Sequence, residues 1–163
     1  MAKKLIPQVL KEVSEAKTNK DKVEILRSNT HPALKDVLRV NFDLDVVSLL
    51  PEGAPPYEKD DAPEGYSVSS LFRTHKQLKY FFKGPIGNQV QAVRREKLFI
   101  DALESMHPSE SELLITAKDR KLKGLTASIV NEAFPGLVVK PLAVKKAAAK
   151  KPAAKKATKK KEK

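Results

Sequence analysis

The feature that most constrains this chain is a long helical period broken once, by a His-Pro step. Residues Asn88–Asp119 read NQVQAVRREKLFIDALESMHPSESELLITAKD. Val90, Val93, Ile100 and Leu103 fall roughly on one stripe, and Leu98, Phe99 and Ala102 widen it. Arg94, Arg95, Glu96, Asp101 and Glu104 fill the remainder, as a helix lying against a core requires. His107-Pro108 ends that helix, because a residue before proline is pushed out of the α region. Pro108 suits the first position of a second helix, with Glu110 and Glu112 in its favourable first turn. Leu113, Leu114 and Ala117 supply its apolar side. The expectation is a helical hairpin on which the other segments pack.

Those segments are also mostly helical in pattern. Lys4–Lys17 places Leu5, Val9, Leu10 and Val13 on one side, with Pro7 tolerable only in the first turn. A second helix starts at Asn19 or Lys20, buries Val23, Ile25 and Leu26, and stops at Ser28-Asn29-Thr30. Thr30 is the expected N-cap of a third helix opened by His31-Pro32, with Leu34, Val37, Leu38 and Phe42 inward. Leu44–Leu50 fits a strand or a buried turn. With no partner strand evident, a helical turn or an extended cover is expected. Pro51–Gly65, PEGAPPYEKDDAPEG, is a surface loop. A helix is expected over Ser67–Lys83, capped by Ser67 or Ser69 and broken by Gly84-Pro85-Ile86-Gly87. A last helix runs from about Leu125 to Phe134, and Val138–Val144 lies on the body as an extended strap. The fold class is therefore all-α: a compact bundle of about six or seven short helices with connections of a few residues. A Pro-rich acidic loop and a disordered Lys/Ala-rich C-terminal tail complete it.

Charge divides the 163 residues more sharply than hydropathy does. Of the 32 Lys+Arg and 20 Asp+Glu behind the net charge of +12, residues 140–163 hold eleven lysines and Glu162. That leaves 21 cationic against 19 acidic residues in residues 1–139. The expected organisation is a nearly neutral helical domain over 1–139 and a disordered basic tail over 140–163. The chain has no cysteine, so disulfide and thiolate chemistry are excluded. No apolar run approaches the roughly 18–20 residues of a membrane span. The opening MAKKLIPQVLKEVSEAK carries Glu12 and Glu15 and is not expected to be a targeting peptide.

Three longer motifs carry a resemblance. LLPEGAPPY (Leu49–Tyr57), REKLFIDALESMHPSESELL (Arg95–Leu114) and VNEAFPGL (Val130–Leu137) resemble a family of small uncharacterised proteins of T4-like tailed phages, cyanophages included. The resemblance covers most of residues 5–138. It implies no activity and transfers no functional residues, and it leaves the lysine-rich tail outside. It implies a setting in the host cytoplasm or nucleoid.

Chemistry is most legible in that tail, KKAAAKKPAAKKATKKKEK. Lys145, Lys146, Lys150, Lys151, Lys155, Lys156, Lys159, Lys160 and Lys161 form a solvated polycation with little to bury. On a phosphate backbone such a segment binds by counterion release and reads no bases. The competing interpretation is a solubilising or addressing segment. In the body, Asp43–Glu64 holds seven acids against Lys59, and Arg73–Lys97 holds seven basic residues against Glu96. Arg73, Lys76, Lys79, Lys83, Arg94 and Arg95, interleaved with Tyr66, Phe72, Tyr80, Phe81 and Phe82, make a second candidate nucleic-acid face. The plainer alternative is that the rings are core and the cations its solvated side. The acidic loop is a candidate screen for that face, or a seat for the tail when DNA is absent. Pro55, Pro56 and Tyr57 can form a polyproline-type ligand for a partner protein, or a turn whose tyrosine packs on its own domain.

Catalysis has little support. His31 and His107 precede prolines at helix starts, where capping explains them, and His75 stands alone on a helix. No nucleophile elbow or phosphate loop occurs. Asp60 and Asp61 lie in an open loop where nothing separates their pKa values. No enzyme activity, cofactor, metal, membrane contact or small-molecule substrate is expected. The expected function is non-catalytic, sequence-nonspecific binding of DNA or RNA. The alternative is a module that docks on a viral or host protein and is merely tethered to DNA by its tail.

Overall fold

The computed structural model describes residues 3–141, which form seven α-helices. In chain order these are α1 (Ile6–Glu15), α2 (Asn19–Ser28), α3 (Pro32–Phe42), α4 (Leu71–Thr74), α5 (Ala92–Ser105), α6 (Pro108–Lys118) and α7 (Ala127–Ala133). Two 3₁₀ helices, His75–Tyr80 and Gly87–Gln89, lie between α4 and α5. Among the described residues, β pairing is limited to two isolated bridges, Asp43 with Pro141 and Ser48 with Phe82. The chain is thus all-α.

Local chemistry accounts for the first three helices. Pro7 sits in the first turn of α1, where its missing N–H would have no partner anyway. Thr18 caps α2 by accepting from the Asp21 N–H at 3.0 Å. The cap of α3 is His31, not the expected Thr30. His31 Nδ1 accepts from the Ala33 N–H at 3.0 Å, while Thr30 Oγ1 donates back to the Arg27 carbonyl at 2.7 Å. His107 repeats the device at α6, accepting from the Ser109 N–H at 3.2 Å.

Long-range hydrogen bonds reshape the middle of the chain. Leu44–Leu50 opens with a turn over Leu44 and Asp45, closed by Val46 N–H on the Asp43 carbonyl at 3.1 Å, and continues without helix. Leu49 N–H donates to the Phe81 carbonyl at 2.9 Å, and Lys83 N–H donates to the Val47 carbonyl at 2.8 Å. The single helix expected over Ser67–Lys83 is instead α4 followed by the His75–Tyr80 3₁₀ segment. Its N-terminal residues are taken by the hairpin: Ser69 N–H donates to the Ser105 carbonyl at 2.8 Å, and Leu71 N–H to Glu110 Oε1 at 2.9 Å. At the other end, Phe81 N–H closes the 3₁₀ segment on the Leu78 carbonyl at 2.9 Å, while the Phe81 carbonyl and Lys83 N–H are taken by Leu49 and Val47. Tertiary partners outweigh intrinsic propensity here.

The hairpin itself is rotated from its expected face. α5 starts only at Ala92, and Val93 is 82% exposed. The buried side is Arg95, Phe99, Ala102 and Leu103, continued by Met106. Arg95 turns inward because its guanidinium serves three carbonyls of the preceding loop, Tyr80 at 3.2 Å, Gly87 at 2.9 Å and Val90 at 2.5 Å. That loop tolerates no side chain at Gly87, whose Cβ would meet the Phe82 carbonyl oxygen.

α6 is the centre of the molecule, packing on α1, α3 and α5. It is buried on almost every side: Leu113, Leu114, Ile115 and Ala117, but also Glu110, Ser111 and Lys118. Each of these polar groups has a partner. Ser111 Oγ donates to the Leu103 carbonyl at 2.6 Å, fastening the hairpin, and Lys118 Nζ reaches the Pro51 carbonyl at 2.8 Å and Asp119 at 2.6 Å. Glu110 supplies the acceptor at the start of α4. The loop Pro51–Gly65 lies across α5 and α6 through Gly53 N–H to Asp119, Glu58 N–H to Glu104, and a Lys59–Glu112 ion pair.

Burial raises the Glu110 carboxyl above its ordinary value, against the Leu71 N–H and His107, which lower it. The folded state therefore holds the proton more tightly than the unfolded chain, and stability falls as pH rises from about 4.5 through the raised value. Glu110→Gln keeps an acceptor for Leu71 and is expected to remove that fall. Glu110→Ala orphans the buried N–H and is expected to cost about 1–3 kcal/mol. Urea unfolding of the three proteins between pH 4 and 8 checks both outcomes.

Candidate nucleic-acid interface

The described residues bring together part of the expected basic face and exclude the rest. Lys76, Lys79 and Lys83 are exposed and line one groove of about 670 Å³ between α3 and the His75–Tyr80 3₁₀ helix. Side chains three residues apart eclipse on a 3₁₀ helix, so Lys76 and Lys79 point the same way. The floor is apolar and buried, formed by Val40, Leu78 and Phe82. Arg39 of α3 completes the cationic wall.

Arg39 was not among the residues singled out by sequence. In the sequence it is the one cation inside the run Val37–Phe42, and the structure leaves it the lone exposed position within Val37–Asp43. A cation inside such a run marks the solvent ridge of a core helix.

The other expected cations go elsewhere. Arg73 lines a separate hollow with Lys3, Gln8 and Glu64, and Arg94 lines neither hollow. Arg95, expected on the nucleic-acid face, is only 8% exposed and is committed to backbone carbonyls. It is a structural residue, and no phosphate can reach it. The rings divide similarly: Phe81 and Phe82 are core, Phe72 and Tyr80 are packed against it, and only Tyr66 is fully open.

Two acids share the groove, and both are engaged. Asp36 Oδ2 lies 2.7 Å from His75 Nδ1, and Asp45 pairs with Lys140 at 3.2 Å. His75 is therefore not isolated as expected; it also stacks edge-on with the His31 ring at 6.0 Å. Arg39, Lys76, Lys79 and Lys83 take part in no ion pair among the described residues. Of the seven acids in Asp43–Glu64, Asp45 alone lines this groove. Lys59 and Glu52 of the Pro-rich loop pair instead with Glu112 and Lys121. The loop thus lies over the hairpin and does not cover the groove.

The same edge holds the root of the lysine-rich segment. Asp43 is fully buried and accepts from the N–H groups of Asp45 at 2.9 Å, Val139 at 3.1 Å and Lys140 at 3.3 Å. Burial raises its carboxyl, and these backbone donors outweigh it to hold the group below the usual range. Leu44 N–H returns a bond to the Lys140 carbonyl at 2.8 Å. The strap expected over Val138–Val144 is docked as far as Pro141, with bends at Val139 and Lys140; the rest of it lies outside the described residues. Lys145, Lys146, Lys150, Lys151, Lys155, Lys156, Lys159, Lys160 and Lys161 lie outside the described residues.

At the Pro-rich loop, Pro55 and Pro56 edge a hollow of about 200 Å³ with Leu50 and Phe99. Tyr57 packs on the core, and burial raises its phenol above the ordinary value. Among the described residues, no group of three or more His, Asp or Glu could hold a metal ion, and no helix is long and apolar enough to cross a membrane.

The assignment of Arg95 and Arg94 to different roles has a direct consequence. Arg95→Leu strands three carbonyls and is expected to cost about 3 kcal/mol. Arg94→Leu, on the exposed first turn of α5, is expected to stay within about 0.5 kcal/mol. Urea midpoints at unchanged m-value measure both.

Comparison with curated proteins finds no match. A family model described as a family of unknown function (DUF6433) matches residues 9–124, a span that includes Asp43, Asp45 and all four groove cations. The chain belongs to this family of unknown function, DUF6433.

Proposed function

We propose that this protein binds nucleic acid without catalysis and without sequence specificity, mainly through Lys145–Lys161. The observation that carries the reading is the division of charge: eleven lysines and one glutamate over residues 140–163, joined to a body that is nearly neutral. A segment so composed offers little apolar surface to bury, and a dense row of anions suits its charge. The docking of Val139, Lys140 and Pro141 at Asp43 supports the reading, since it roots the segment beside Arg39, Lys76, Lys79 and Lys83. The resemblance to small proteins of T4-like tailed phages supports a phage setting, in the host cytoplasm or nucleoid. There a DNA-associated factor would act near the viral genome or the host transcription or replication machinery.

A second reading is a protein-docking module that the lysine segment concentrates on DNA. The hollow beneath Pro55 and Pro56 favours it, because Leu50 and Phe99 offer an apolar floor there. Salt separates the two. Each phosphate neutralised contributes about 0.9 to the slope of log K against log salt on duplex and about 0.7 on single strands. Apolar docking responds little.

Fluorescence anisotropy of the full chain with random duplex and single-stranded DNA, over a salt series, tests the proposal. The expected result is binding with a slope of several units, reduced by several units when the nine lysines from Lys145 to Lys161 become glutamine. Absence of binding at low salt, or a slope indifferent to those nine changes, would sink it.

A further inference from the structure

We propose that the groove between α3 and the His75–Tyr80 3₁₀ helix, which Lys140 borders through Asp45, is a second, folded binding site for a phosphodiester backbone. The proposal rests on the nucleic-acid reading above and adds to it the body residues that make contact: Arg39, Lys76, Lys79 and Lys83.

Four observations converge on these residues. First, four like charges gathered at one groove repel one another, and nothing in the folding of this edge requires them: the floor is closed by Val40, Leu78 and Phe82. Elsewhere on the surface some lysines are paired, as in Lys4–Glu12, Lys59–Glu112 and Lys97–Asp101, while Lys11, Lys20 and Lys123 stand singly among the described residues; what sets the groove apart is that its four cations lie together. Second, neither acid on the groove wall forms an ion pair with a groove cation: Asp36 hydrogen-bonds His75, and Asp45 pairs with Lys140. The four cations are left facing solvent, where the charged groove concentrates a polyanion.

Third, the spacing suits an extended row of phosphates. Lys76 and Lys79 eclipse on the 3₁₀ helix about 6 Å apart along its axis. Lys83, past the end of the 3₁₀ helix, and Arg39, from α3, line the same groove. No fully exposed ring lines this groove, because Phe82 is 9% exposed. Base stacking therefore has no platform there, and the site recognises backbone, not sequence. Fourth, the groove and the root of the lysine segment share an edge. Asp43 clamps the N–H groups of Val139 and Lys140, and Lys140 reaches Asp45 on the groove wall. A strand held in the groove lies near Lys140, after which the lysine segment follows in sequence, and this links two weak electrostatic contacts.

The test uses the full chain in four forms: unchanged, groove-neutralised (Arg39→Gln, Lys76→Gln, Lys79→Gln, Lys83→Gln), lysine-segment-neutralised, and both. The probe is a mixed-sequence 20-base-pair DNA, read by anisotropy from about 20 to 300 mM salt, with circular dichroism confirming the helices. Each phosphate-contacting cation removed lowers the salt slope by about 1. Groove neutralisation is expected to lower it by about 3–4. The segment-neutralised form should keep weak, salt-sensitive binding that the combined form loses. If the quadruple variant loses helicity, the pair Lys79→Gln and Lys83→Gln serves, with an expected drop of about 2. A groove variant whose affinity and slope equal those of the unchanged protein overturns the groove site, while leaving the lysine segment as the binding element. A segment-neutralised form that binds as well as the unchanged protein, with binding lost in the groove variant, overturns the segment reading and keeps the groove.

Discussion

Burying α6 on nearly every face is the constraint from which the rest of the structure follows. A helix enclosed by α1, α3 and α5 cannot leave a polar atom without a partner. Glu110, Ser111 and Lys118 each find one on a different segment: the start of α4, the end of α5 and the Pro-rich loop. These bonds set where each segment begins. The C-terminal end of α6 extends the control further. Arg120, at φ 59°, takes a left-handed turn just past the helix, and its guanidinium donates to the Val46 carbonyl at 2.5 Å. Val46 lines the basic groove beside Asp45, so the central helix positions one wall of the candidate site.

Charge is arranged with a similar economy. The Pro-rich loop is tied on the hairpin side, by its Lys59 to Glu112 of α6 and by its Glu52 to Lys121 in the turn after it, and it leaves the opposite edge cationic. Asp43 is the exception that matters most. Its carboxylate is spent on backbone N–H groups, not on a side-chain cation, and what it secures is the strap from which the lysine segment continues. A buried carboxylate bonded by amides makes a stronger fixed point than a surface ion pair, which contributes about 0–1 kcal/mol. The body thus determines where the polycation starts, whatever the segment itself does.

Legibility from sequence followed the range of the interactions. The His-Pro starts of α3 and α6, the position of Pro7 and the Thr18–Asp21 region are local matters, and the helix boundaries there are close to expectation. Expectation failed where partners were distant in sequence. Nothing near Arg95 reveals that it will serve the carbonyls of Tyr80, Gly87 and Val90, so Val93 took its place in the inferred stripe. Ser67–Lys83 has a good helical pattern that loses to bonds with Ser105, Glu110, Val47 and Phe81's partner Leu49. At the candidate site, Lys76, Lys79 and Lys83 were visible as a cationic run, while Arg39 and the pairing of His75 with Asp36 depend on α3 packing beside that run.

Central to the proposal is that both the groove and the lysine segment meet phosphate. Lysine acylation read by mass spectrometry, with and without saturating DNA, tests it most directly in the unmodified protein. The expected footprint is protection of Lys76, Lys79, Lys83 and of Lys145–Lys161, while the exposed Lys11, Lys20 and Lys123 stay as reactive as in the free protein. Equal labelling of all these lysines with and without DNA would contradict it.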